Sequence, residues 1–160
     1  MSKKPLSEMS LEELWELFPI VLVGHNDSWK EWFAAEREFL ERILPKGVRI
    51  HHIGSTAIEG IWTKPIVDIL VEAARESFGL FKLSLVQNGY ICMAESENSI
   101  DFNKGYTPDG FAGKVFHLHL KRYGDNDEIY FRDYLNARPE IAKEYEKWWT
   151  IPTSTWATIR

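Results

Sequence analysis

IHHIGSTAIEGIWTKPIVDILVE, residues 50–72, decides how this 160-residue chain is read. The segment divides into a strand over residues 49–53, a tight Gly54-Ser55-Thr56 turn, a short helical or irregular link, and a second strand that begins after Pro65. In the second strand, IVDILV, five of six side chains are large and aliphatic, which predicts cover on both faces. Asp68 nevertheless sits in its middle, and an ionised carboxylate there costs on the order of several kcal/mol unless something pairs with it. A bound cation, a nearby Arg or Lys, or backbone donors are the available partners. Upstream, Gly54 permits a sharp turn and close backbone approach, and the hydroxyls and amides of Ser55 and Thr56 face the strand's end. Such a turn can hold a phosphate.

Toward the N-terminus, residues 1–9 are polar and read as frayed. Ser10 and Glu13 form a capping box for a short helix carrying Leu11, Leu14, Trp15 and Phe18 at helical spacing. Pro19 then precedes IVLVG, an apolar strand ending at Gly24. Ser28 with Glu31 supplies a second capping box, opening a helix over 28–44 with Trp29, Trp32, Phe33, Phe39, Leu40, Ile43 and Leu44 along one stripe. These aromatics read as core. Pro45-Lys46-Gly47 ends that helix, and His51 and His52 alternate across the following strand in structural roles.

Toward the C-terminus, residues 75–87 form a helix stopped by Asn88-Gly89, and 90–94 a strand. The polar stretch 95–113 has little periodicity and three glycine turn signals, which predicts a hairpin with a mobile loop. VFHLHL, residues 115–120, alternates strictly: Phe116, Leu118 and Leu120 share one face, and His117 and His119 the other with Val115. Strand rise puts the two imidazoles about 6.5 to 7 Å apart along the chain, within reach of one metal or one phosphate. The plain alternative is a solvated face with two half-exposed histidines. A helix follows over 128–136, and Pro139 opens another that ends near Trp149. Arg132 and Asp133 point in adjacent helix directions, so separate partners are expected; Arg132 is either a phosphate clamp or an ordinary helix arginine.

The hydrophobic fraction of 44% and the seven Trp mark a folded chain with one real core. A net charge of −5 argues against general nucleic-acid binding, although 111–124 has no acid and holds Lys114, Lys121, Arg122 and two His. Cys92 is alone, so no internal disulfide forms. With no signal peptide and no apolar run of membrane length, a cytoplasmic setting is expected, with no membrane partner. Nothing in the sequence fixes the oligomeric state.

A glycine-serine turn after a strand, with an aspartate thirteen residues on in an apolar strand, resembles the nucleotidyltransferase fold. The wording HIGSTAIEGIWTKPIVDI is similar to the GrpB-like family of that superfamily, and the likeness continues through HLHL and FRDYLNARPE, between Val23 and Tyr145. The resemblance implies an α/β (α+β) domain over residues 1–160 with an atypical tail at 150–160. Its mixed, twisted sheet comes from strands near 20, 50, 67, 92, 103 and 117, with helices mainly on one face.

For function, the resemblance implies a metal-dependent, nucleotidyltransferase-like protein whose partner is a nucleotide or other small phosphorylated ligand. Gly54, Ser55, Thr56, Lys64 and Arg132 would hold the phosphates of a nucleoside triphosphate. Asp68, His117 and His119 would be catalytic and would bind a divalent ion, Mg, Mn or Zn. The chain departs from the superfamily pattern at Leu70, where a second carboxylate normally stands. Two-metal chemistry holds its ions about 3.5 to 4 Å apart with several acids, and one Asp with two His is a thinner set. Two other readings therefore stand beside the first: a non-catalytic nucleotide or small-molecule binding module, and a His/Asp metal-dependent phosphoesterase.

Overall fold

The computed structural model describes residues 3–150, with side chains for residues 3–148. Its elements in chain order are α1 (Leu11–Leu17), α2 (Ser28–Ile43), β1 (Arg49–Ile53), β2 (Val67–Ala73), α3 (Phe78–Gln87), β3 (Ile91–Glu95), β4 (Ser99–Thr107), β5 (Gly110–Arg122), α4 (Asp127–Ala137) and α5 (Pro139–Thr150). Short 3-10 turns cover Leu6–Glu8, Ser55–Ala57 and Arg75–Ser77. The five strands form one mixed sheet in the order β1-β2-β5-β4-β3. Only β2 and β5 run parallel; the other neighbours are antiparallel.

This register sorts the sheet's side chains into two faces. Residues opposite one another in a ladder point the same way, so Ile53, Asp68 and His117 share a face, as do Leu70, His119 and Asp101. The other face carries Val67, Ile69, Val71, Phe116, Leu118, Leu120, Ile100 and Phe102, and joins Trp29 and Leu40 of α2 with Phe78, Phe81 and Leu85 of α3 in the main core. Burying each such side chain contributes about 1.5 to 3 kcal/mol. Within this face Glu36 accepts hydrogen bonds from the Tyr90 hydroxyl (2.7 Å) and the Lys104 ammonium (2.5 Å), so its carboxylate is paired. A second, smaller cluster of Ile58, Ile61, Leu135 and Ala142 ties the link between β1 and β2 to α4 and α5.

Several expectations need correcting. The segment 20–24 is not a strand: Ile20 and Val21 are exposed, and only Val23 pairs, through two 2.9 Å backbone bonds with Thr63. An apolar run becomes a strand only where a partner strand lies beside it, and two bonds do not make a ladder. The Ser10–Glu13 capping box is present, but Ser28 does not cap α2. Ser28 lies inside the first turn, and its amide donates to the side chain of Asn26 (2.9 Å), which takes the capping role. The hairpin expected over 95–113 is present, but in place of a loop most of the stretch is ladder, with β4 and β5 meeting at Thr107 and Gly110. An irregularity between Lys104 and Tyr106 in the β4 register moves Tyr106 off the helix-covered face, so that its ring stacks on His117. Residues 151–160, where the atypical tail was expected, lie outside the described residues.

Candidate functional site

The turn that leaves β1 is built around Gly54, whose φ of 73° and ψ of −173° are open to glycine and little else. A Cβ on Gly54 would lie 2.4 Å from Asp68 Oδ2, so the missing side chain lets the turn rest directly on that carboxylate. Beyond it, Ala57 N–H donates to the Gly54 carbonyl and Ile58 N–H to that of Ser55, both at 3.1 Å. The Ser55 and Thr63 hydroxyls share a hydrogen bond that closes the link on itself.

Beneath the turn lies a cavity of about 410 Å³. Gly54, Ser55, Lys64, Asp68, His117 and His119 all line it, and Ile53, Thr63, Ile66, Glu128, Phe131 and Tyr145 complete its walls. Two of the expected residues are elsewhere. Thr56 is buried behind the turn, its hydroxyl on His52 Nε2 at 3.0 Å. Arg132 donates through Nη1 to the His52 carbonyl (2.8 Å), pinning α4 to the end of β1, and is not part of the cavity wall. It also bonds Asp133 Oδ1 through Nε at 2.8 Å, against the expectation of separate partners. Backbone directions diverge between adjacent helical residues, but the long arginine stem curls back to the short aspartate.

Asp68 Oδ1 is approached by His117 Nδ1 and His119 Nε2, each at 3.5 Å. The far nitrogens are also engaged: His117 Nε2 with the Tyr106 hydroxyl (2.8 Å), and His119 Nδ1 with Asp101 Oδ1 (2.8 Å). His119 therefore stands between two carboxylates, and the doubly protonated ring is the form that donates to both. Burial opposes that charge, but the bonds from Asp68 and Asp101 outweigh it and raise the His119 pKa. Burial likewise pushes the Asp68 carboxyl up, and the hydrogen bonds of His117 and His119 overcome this and hold it below the usual range. Glu128, the cavity's other carboxylate, is paired with Lys121 at 2.5 Å.

A family model described as GrpB protein matches residues 19–150. The chain belongs to the GrpB family. Among GrpB relatives it is 39% identical to the glutamate-rich protein GrpB of Alkalihalophilus pseudofirmus, over 79% of this chain and 77% of that one. It is 35% identical to the UPF0157 protein YqkA of Bacillus subtilis over 84% of its own length, while spanning only 41% of that relative. The crystal structure of conserved protein GrpB from Enterococcus faecalis superposes with a TM-score of 0.68 at 29% identity, covering 79% of each chain. The Cid1 poly(U) polymerase bound to MgATP gives a TM-score of 0.52 at 15% identity, over 71% of this chain and 38% of that one, a likeness of fold. The fold of this GrpB chain is thus nucleotidyltransferase-like.

The donor set of this GrpB chain does not fit the paired magnesium ions of nucleotidyl transfer. Position 70 holds a fully buried leucine, and Glu72, next along that face, is tied by Gly124 N–H, Asn126 and His51. Among the described residues no group of three or more His, Cys, Asp or Glu is arranged to hold a metal ion. Magnesium prefers oxygen ligands, whereas both groups that approach Asp68 Oδ1 are imidazoles whose far nitrogens are already hydrogen-bonded.

Asp101 and Tyr106, which orient the two imidazoles, went unread in the sequence. The alternation Ser99, Asp101, Asn103 against Ile100 and Phe102 carried the signal for the first. Nothing local announces the irregularity that turns Tyr106.

The histidines around the site separate in pH. His52, stacked on Phe33 with ring centroids 5.0 Å apart, has its pKa pushed down to about 4, chiefly by burial. Its ring is neutral in the folded chain, so between about pH 6.5 and pH 4 the unfolded chain takes up the proton first and stability falls as pH drops. The shift corresponds to about 3 kcal/mol. His119 has the opposite sign: its contribution is present below its unfolded pKa and lost as pH rises through the raised folded value. In a nitrogen-detected NMR titration His119 is expected to titrate above 6.5 and His52 near 4; the reverse order would refute this charge assignment. A His52→Gln variant should lose less stability than the parent between pH 6.5 and 4 in urea unfolding.

Proposed function

We propose that this chain is a binding module for a nucleotide or another small phosphorylated ligand, held beneath the Gly54-Ser55 turn without two-ion transfer chemistry. One observation carries the reading: of the alternating positions 68, 70 and 72, only Asp68 reaches the cavity, and it is already compensated by two imidazoles. A phosphate would receive hydrogen bonds from the turn amides and from whichever of the Ser55 and Thr63 hydroxyls accepts in their shared bond and so keeps its own proton free. Lys64 and the protonated His119 would offset its charge. Asp68 acts here as the group that charges and aims His119, and Lys121, which also meets Asp125, offsets part of the charge of Glu128.

Calorimetric titration with a nucleoside triphosphate tests this. The parent protein is expected to bind, Lys64→Met to bind about tenfold more weakly, and Ser55→Ala to lose roughly threefold. Identical affinities in all three would remove the cavity from the function.

A second reading, nucleotidyl transfer or phosphoester hydrolysis dependent on a divalent ion, is favoured by the equal 3.5 Å approach of both imidazoles to Asp68 Oδ1. Their outward nitrogens are fixed by Tyr106 and Asp101, as partners of metal-bound histidines usually are. It requires triphosphate or phosphoester turnover with magnesium, manganese or zinc that Asp68→Ala abolishes. Absence of turnover with all three ions would sink it.

A further inference from the structure

A second cavity, of about 400 Å³, adjoins the first, and the two share Lys64, Ile66 and His117 as a common wall. Its character is different. Phe18 of the segment after α1 meets Tyr106 and Phe111 with ring centroids 4.9 and 5.0 Å apart, and Tyr106 meets Phe111 at 5.2 Å. Trp32 of α2 lines it too, with the Lys114 ammonium 5.9 Å from its ring centroid. Among the described residues no Asp, Glu, Asn, Gln, Ser or Thr lines this cavity. The two side chains best able to read a polar ring edge, Tyr106 and His117, are bonded to each other at 2.8 Å.

The geometry points to this second cavity as the seat for the planar ring of the ligand whose phosphates occupy the first, holding that ring by stacking and without selecting among bases. The inference rests on the binding reading above and adds the identity of the ligand's other half. Three features select a ring on a phosphate carrier over a free apolar molecule. The cavities are contiguous through Lys64, a cation placed where a phosphate chain would pass from one to the other. The lining has no carboxylate among the described residues to repel that chain. The walls are aromatic, and aromatic faces accept any base because every base presents a π-face, whereas discrimination needs donors and acceptors aimed at the ring edge.

The test compares ATP, GTP, UTP and inorganic tripolyphosphate by calorimetry, on the parent chain and on two variants. Phe111→Ala removes one aromatic wall. Gly113→Trp fills the cavity at a position where a new Cβ meets nothing within 4 Å, so the backbone is undisturbed and this variant decides the matter if Phe111→Ala fails to fold. The parent should bind each nucleotide about tenfold more tightly than tripolyphosphate, with the three nucleotides within roughly threefold of one another. Both variants should reduce nucleotide affinity to the tripolyphosphate level and leave tripolyphosphate binding unchanged. Nucleotides bound no more tightly than tripolyphosphate, or unaffected by a folded Gly113→Trp, would overturn this inference while leaving the phosphate site standing. A preference of more than about tenfold for one base would overturn the stacking-only account. If neither tripolyphosphate nor any nucleotide binds, the binding reading falls and this inference with it.

Discussion

Replacing Gly54 by alanine is expected to destabilise the chain by about 3 to 5 kcal/mol and to abolish ligand binding in whatever fraction still folds. Two penalties combine. The backbone at φ 73°, ψ −173° lies where a non-glycine residue is strained by about 1 to 3 kcal/mol. The added methyl would also sit 2.4 Å from Asp68 Oδ2 and 2.9 Å from its Cβ and Cγ, pushing either the turn off β2 or the carboxylate off His117 and His119. Gly60→Ala separates the two penalties, because Gly60 has a similar φ of 76° with nothing within 4 Å of its would-be Cβ. That control should lose only about 1 kcal/mol. Equal losses at the two positions in denaturant unfolding would mean that the contact with Asp68 contributes nothing.

Glu72→Ala is expected to be comparably severe, about 3 to 5 kcal/mol, although Glu72 touches no ligand-facing surface. Its side chain is 1% exposed and accepts from Gly124 N–H at 2.9 Å and Asn126 Nδ2 at 3.1 Å, with His51 Nε2 3.1 Å away on the other oxygen. Truncation removes the one acceptor these part-buried donors share and leaves a void at a fully buried position. Glu72→Gln keeps one oxygen for Gly124 and Asn126 and offers an amide to His51, so its loss should be near 1 kcal/mol. If the glutamine variant proves as unstable as the alanine one, the negative charge rather than the set of hydrogen bonds is what holds the turn. Because residues 123–126 lead into α4, which brings Glu128 and Phe131 to the cavity, Glu72→Ala should also weaken nucleotide binding beyond the effect of Glu72→Gln.

What could be read from the sequence follows a physical division. Features carried by neighbours in the chain were legible: the Ser10–Glu13 box, the aromatic stripe of α2, the alternation in VFHLHL, the Asn88-Gly89 stop, and the glycine turn before the Asp68 strand. Features settled by distant partners were not. Whether IVLVG pairs depends on Thr63, forty residues on, and whether Ser28 caps a helix depends on Asn26 reaching its amide first. The site divides the same way. Gly54, Ser55, Asp68, His117 and His119 come together because β1, β2 and β5 are adjacent; the resemblance grouped these residues, and the strand order is what brings them to one cavity. Asp101 and Tyr106 became visible only once β4 was laid beside β5.

The small cluster of Ile58, Ile61, Leu135 and Ala142 has a consequence for motion. It fastens α4 and α5 to the β1–β2 link separately from the main core, and those helices bring Phe131 and Tyr145 to one side of the cavity. Freeing that side means loosening these four apolar side chains together with the hydrogen bonds by which Arg132 and Asn136 hold α4, while the sheet keeps all its ladder bonds. A ligand in the cavity proposed for phosphate would therefore exchange by a local opening whose energetic scale is set by a miniature core and a few hydrogen bonds, far below that of global unfolding.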